Sequence, residues 1–161
     1  MAGKACQPKH NFLKKLQDQQ PRPREFDSKC EADIAELRQR MGELQESMAA
    51  WLTDTGIRIE PQDVALSDLL VGRKTFNVPA VGLYFNDREI KFTPVFLYGQ
   101  GVTGCVEVSL CVQGRATPQY RLFMRCSESV DWTCSPVGIP GARRSAFSED
   151  AFFEMIAGLL P

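Results

Sequence analysis

The stretch "YGQGVTGCVEVSLCV", Tyr98–Val112, decides between two incompatible folds. Its glycines, Gly99-x-Gly101-x-x-Gly104, have the spacing of a dinucleotide-binding turn. Such a turn works only between a strand and a helix, because the pyrophosphate rests on the helix's free N–H groups and the positive end of its dipole. Upstream, Val95–Tyr98 reads as a strand. Downstream, Val106, Val108, Leu110 and Val112 alternate with Cys105, Glu107, Ser109 and Cys111. Period two with β-branched enrichment specifies a second strand, not a helix. No acidic residue follows where a ribose would need it, since Glu128 and Asp131 fall in a polar turn. The glycines are therefore read as a connector that needs positive φ or a bulge, and no nucleotide or other cofactor is expected.

Outward from this stretch, Cys105–Val112 is expected to pair with Tyr120–Cys126 across "QGRATPQ", centred on Ala116. That register sets Val112 opposite Tyr120, Leu110 opposite Leu122, Val108 opposite Met124 and Val106 opposite Cys126. The other face then pairs Glu107 with Arg125, Ser109 with Phe123 and Cys111 with Arg121. A one-residue slip would mix the faces. Before it, "VGLYFNDREIKF" predicts a hairpin turning at Asn86-Asp87, with Leu83 opposite Ile90 and Val81 opposite Phe92. Pro94 is expected to end that strand or to sit at an edge. A further strand is read around Val130–Cys134, then a Pro/Gly-rich loop over 136–147 with Arg143-Arg144 at its tip.

Two helices flank the strands. Ser28-Lys29-Cys30-Glu31 has the form of a capping box, and helix formers run on to Thr55, with Gly56 as the stop. Ile34, Leu37, Met41, Leu44, Met48 and Trp51 recur at intervals of three and four, an apolar seam that either lies on the sheet or pairs two copies. Ile57–Ile59 is a short strand, and "PQDVALSDLL", Pro61–Leu70, is read as one or two helical turns. At the end, Ser148 caps a helix whose stripe is Phe152, Met155, Ile156 and Leu159, with Phe147 stapled to Phe152.

The 161 residues, 43% hydrophobic and 24% charged with a formal charge of −1, suit one domain and give no global attraction to nucleic acid or membrane. Residues 1–25 read as a basic arm with a "PRPRE" hinge, and 26–161 as a single domain. The polar start of the chain lacks the apolar core of a signal peptide, so a cytoplasmic location with reduced thiols is expected. Six cysteines without C-x-x-C are read as small, half-buried hydrophobes. A zinc site from Cys126, Cys134 and the Cys105/Cys111 strand matches no ligand spacing, and no metal is expected. The lone histidine, His10, lies in the arm, which leaves no imidazole for a Ser-His or Cys-His nucleophile in the domain.

The element order predicts an α+β two-layer domain. It has a mostly antiparallel meander of five to six strands, with a long N-terminal helix and a C-terminal helix on one face. With no catalytic constellation, the expected function is a non-enzymatic protein-binding module: adaptor, accessory, chaperone-like or immunity-like. Its partner-binding residues are Arg121, Phe123, Arg125 and Glu107, since aromatic and Arg side chains are enriched in binding hot spots. One alternative is nucleic-acid association through the arm and the Arg121/Phe123/Arg125 face. A second is a small enzyme using Glu107 or Cys111. Homodimerisation, if it occurs, is expected through Ile34, Leu37, Met41, Leu44 and Met48.

Overall fold

Strand alternation gives the middle of this sheet, from the hairpin at Asn86-Asp87 through the two strands that follow, one apolar and one mixed, more polar face, and the helices follow the apolar one. The computed structural model describes residues 11, 25–67, 75–127 and 129–160. Apart from Asn11 and Glu25, the expected basic arm lies outside the described residues. The chain divides into two compact units, Met1–Glu31 and Ala32–Pro161. Helix α1 (Glu25–Trp51) opens in the first. It begins ahead of the expected cap, so Ser28 lies inside the helix instead of at its N-cap. At the other end Leu52 N–H still donates to the Met48 carbonyl at 2.9 Å, and Asp54 and Gly56 turn the chain with φ of 66° and 79°.

Seven strands follow: β1 (Arg58–Ser67), β2 (Thr75–Phe85), β3 (Arg88–Gly99), β4 (Val102–Val112), β5 (Arg115–Cys126), β6 (Thr133–Pro136) and β7 (Ser145–Ala146). They form one antiparallel sheet in sequence order, closed by α2 (Glu149–Met155) and a 3-10 turn at Ile156–Leu159. The class is the expected α+β two-layer fold, with more strands than the five to six expected. No described helix is long and apolar enough to cross a membrane.

Three readings need correction. First, Pro61–Ser67 is strand, not helical turns: Gln62, Val64 and Leu66 are covered while Pro61, Asp63, Ala65 and Ser67 are exposed. Proline is tolerated there because β1 is an edge strand, where a missing N–H costs no ladder bond. Second, Pro94 does not end β3; the strand runs on to Gly99 through an irregularity between Pro94 and Phe96. Third, the β4–β5 hairpin turns at Gln113-Gly114, not at Ala116. Both have positive φ, 52° and 78°, as a tight two-residue hairpin requires. Glu107 therefore faces Arg121, Cys105 faces Phe123 and Thr103 faces Arg125, with a bulge between Val108 and Ser109. The shift at Glu107 is four residues, an even number, so each residue keeps its face. The β2–β3 hairpin has the expected register, Leu83 with Ile90 and Val81 with Phe92.

The Gly-rich connector joins β3 to β4 with no helix behind it. Gly101 and Gly104 take φ of 72° and 74°, and a Cβ on Gly104 would stand 2.8 Å from the Met124 Cβ and 3.3 Å from Leu37. Glycine is needed there for close helix–sheet packing.

On the inner face Leu83, Ile90, Phe92, Val106, Val108, Leu122 and Met124 are buried together with Leu37, Met41, Leu44 and Met48 of α1 and Phe152, Met155, Ile156 and Leu159 of the C-terminal segment. The Trp51 and Phe152 rings lie 5.2 Å apart and Phe152 lies 6.2 Å from Phe92, so both helices share this face. Ser148 caps α2 as expected, its hydroxyl accepting from Ala151 N–H at 3.2 Å. At the far end of α1, Arg125 donates to Asp33 at 2.8 Å and to Glu36 at 2.7 Å, and the Tyr98 hydroxyl donates to Asp33 at 2.5 Å.

Leu37→Ala or Leu44→Ala should therefore lower the unfolding free energy by about 2–5 kcal/mol in urea titration. Gln39→Ala, on the exposed side of α1, should stay within about 0.5 kcal/mol.

Candidate partner-binding face

Residues that alternate with the core side chains line the outer face, opposite both helices. Register sets them in rows across the sheet. Tyr84, Glu89 and Cys111 form one row, and Lys91 and Ser109 the next. Thr93, Glu107, Arg121 and Ser135 form a third, and Cys105, Phe123 and Thr133 a fourth. Charges of both signs are interspersed: Glu60, Glu89 and Glu107 among Arg58, Lys91 and Arg121.

At the β2 end, Gln62 Nε2 donates to the Tyr84 hydroxyl at 2.8 Å. Gly82 makes room for this pair, since a Cβ there would stand 2.6 Å from Gln62 Nε2. A hydrogen bond from Tyr84 to the Glu89 carboxylate, followed by burial, pushes the phenol up to about 12. The Arg58 guanidinium stacks on the Tyr84 ring at 4.9 Å. Between the two hairpin turns a cleft of about 350 Å³ is lined by Tyr84, Glu89, Lys91 and Cys111 among others. Burial first, then the Glu89 charge, raises the Cys111 thiol above its ordinary range. An activated nucleophile needs the opposite shift.

At the β5 end, Glu107 and Arg121 face each other as a loose ion pair at 3.7 Å, and the Ser109 hydroxyl donates to Glu107 at 3.4 Å. Phe123 is half-buried, with Arg144 from the 136–147 segment 5.2 Å above its ring. Burial pushes the neighbouring Cys105 thiol up to about 12, Arg121 opposing and Glu107 reinforcing the shift. Among the described residues, no three His, Cys, Asp or Glu side chains come together to hold a metal ion.

Of the four residues read as partner-binding, the structure brings Glu107, Arg121 and Phe123 together. It sends Arg125 elsewhere, into the paired carboxylates of α1. The expected Glu107–Arg125 pair is thus replaced by Glu107–Arg121. Sequence reasoning missed Tyr84, Glu89 and Arg144. The first two were within reach, because Leu83 opposite Ile90 forces Tyr84 opposite Glu89. No local pattern announces that Arg144 reaches Phe123. The proposed dimer seam is already occupied: Leu37, Met41, Leu44 and Met48 are buried in the chain's own core, and Ile34 packs against it partly buried.

Three side-chain polar atoms among the described residues are buried without a hydrogen-bond partner: Glu89 Oε1, Arg121 Nε and Thr133 Oγ1. Glu89 Oε1 is also 4.0 Å from Lys91 Nζ. All three belong to outer-face residues. Comparison of the chain with family models, with curated proteins and with solved structures gave no match.

Phe123→Ala should cost about 1–2 kcal/mol in urea titration, below the ~3–5 kcal/mol of a fully buried phenylalanine. A loss of the larger size would place the ring in a closed core and remove it from the face.

Proposed function

We propose that the chain is a non-enzymatic protein-binding module of the adaptor, accessory, chaperone-like or immunity-like kind, docking its partner on the outer face of the sheet. The observation that carries this reading is the position of the three buried polar atoms that make no hydrogen bond within the chain. A buried donor or acceptor left without a partner costs about 1–3 kcal/mol, and native proteins keep few of them. Here they belong to one face, which also carries two arginine–aromatic stacks, Arg58 on Tyr84 and Arg144 on Phe123, with Thr133 paired beside Phe123. Aromatic and Arg side chains in partly desolvated settings are the residues that dominate binding energy at protein interfaces.

The competing readings have less support. A nucleic-acid surface built on Arg121, Phe123 and Arg125 needs Arg125 free, and two carboxylates hold it at 2.7 and 2.8 Å. Glu60, Glu89 and Glu107 alternate with Arg58, Lys91 and Arg121 on the same face, so it offers no continuous basic track for a phosphate backbone. Catalysis by Cys111 would need a thiolate that its surroundings disfavour.

Photo-crosslinking tests the reading. With p-benzoylphenylalanine at Thr93, on the outer face, a discrete protein adduct should form in native lysate. At Gln39, on the exposed side of α1, it should not. Adducts from Gln39 with none from Thr93 contradict the proposal.

A further inference from the structure

Among the described residues four arginines are half-buried: Arg40, Arg88, Arg121 and Arg125. Three are satisfied. Arg40 donates to the Met124 carbonyl at 2.8 Å and Arg88 to the Gly158 carbonyl at 2.8 Å. Arg125 donates to Asp33 and Glu36 at 2.8 and 2.7 Å. Arg121 differs. Its ion-pair partner, Glu107, stands at 3.7 Å, beyond N–H···O hydrogen-bond length, and its Nε is buried with no acceptor. The other Glu107 oxygen accepts from Ser109 at 3.4 Å, so the carboxylate is already shared.

The surroundings favour an incoming anion. In the next row Phe123 carries Arg144 5.2 Å above its ring, which brings a second guanidinium to the row beside the Arg121–Glu107 pair. Beside Phe123 in register is Thr133, 8% exposed, whose hydroxyl has no partner. A guanidinium presents its donors in a planar fork that matches a carboxylate edge to edge. Glu107 would repel a dianionic phosphate about twice as strongly as a single carboxylate, since Coulomb energy scales with charge.

Resting on the protein-binding reading above, we propose that Arg121 receives an aspartate or glutamate side chain of the docking partner, with Arg144 on Phe123 as the second cation. The partner surface is thereby acidic at the point that meets β5 and β6. Glu107 acts as the built-in competitor, holding Arg121 loosely while the face is empty.

The arginine Nε–H resonances of the ¹⁵N-labelled full chain test this directly. At low salt the chain is titrated with a blocked tetraglutamate peptide, a blocked tetralysine peptide and inorganic phosphate. The Arg121 Nε–H signal should move downfield and saturate with tetraglutamate alone. Arg121→Lys, which keeps the charge and loses the fork, should weaken binding about tenfold, one charged hydrogen bond's worth. Glu107→Gln should tighten it, and carries the test if the lysine variant fails to fold. An unmoved Arg121 signal, an equal response to phosphate, or weaker binding in Glu107→Gln overturns the proposal. A silent titration beside face-dependent photo-adducts removes the carboxylate site and leaves the docking face, whereas failure of both removes both.

Discussion

The fold depends on one burial event, the meeting of the α1 seam with the inner face of the sheet. Leu37, Met41, Leu44 and Met48 supply a narrow apolar stripe, and Phe92, Val106, Leu122 and Met124 supply the surface that covers it. A stripe one helix wide cannot be satisfied by solvent, and a sheet of seven strands cannot stand on its ladder bonds alone. Once they meet, register is no longer free. A one-residue slip in β4 would turn Val106 and Val108 out and carry Glu107 into the core. The polar outer face is the consequence of this constraint, since period two leaves those residues nowhere else to point.

Most of the fold was legible in the sequence, and the misses have physical causes. Alternation in Cys105–Val112 identified a strand where a dinucleotide turn would need a helix, because side-chain period is a local property. The β2–β3 register was readable because Asn86-Asp87 suits a two-residue turn and the apolar pairs agree. In β4–β5 the Gln113-Gly114 turn was overlooked and a longer loop was assumed. The bulge at Val108/Ser109 then hid the error, since it lets two frames keep the same apolar face. The strand at Pro61–Ser67 was misread because edge position, which tolerates proline, is a property of the whole sheet and not of the segment.

The site was legible only in part, for a related reason. Alternation places Arg121, Phe123 and Arg125 on one face, and says nothing of what long side chains do at a strand's end. Near the last β4–β5 pairings Arg125 reaches Asp33 and Glu36, because two carboxylates on successive turns of α1 offer a better-paired site than solvent. Arg121, two rows further in, finds only a shared Glu107. Two arginines four residues apart thus differ, one fastened to the carboxylates of α1 and the other in a loose pair with Glu107. That difference rests on side-chain geometry, which no residue pattern encodes.

The central claim is a one-sided sheet, with both helices on one face and Lys91, Thr93, Ser109 and Arg121 directed away from them on the other. Solvent paramagnetic relaxation measured on side-chain protons tests it most directly. The account predicts alternation along each strand, with Lys91, Thr93, Ser109 and Arg121 relaxing several-fold faster than Phe92, Val108 and Leu122. Equal, slow relaxation on both sets would mean that the outer face is covered, and would contradict the account.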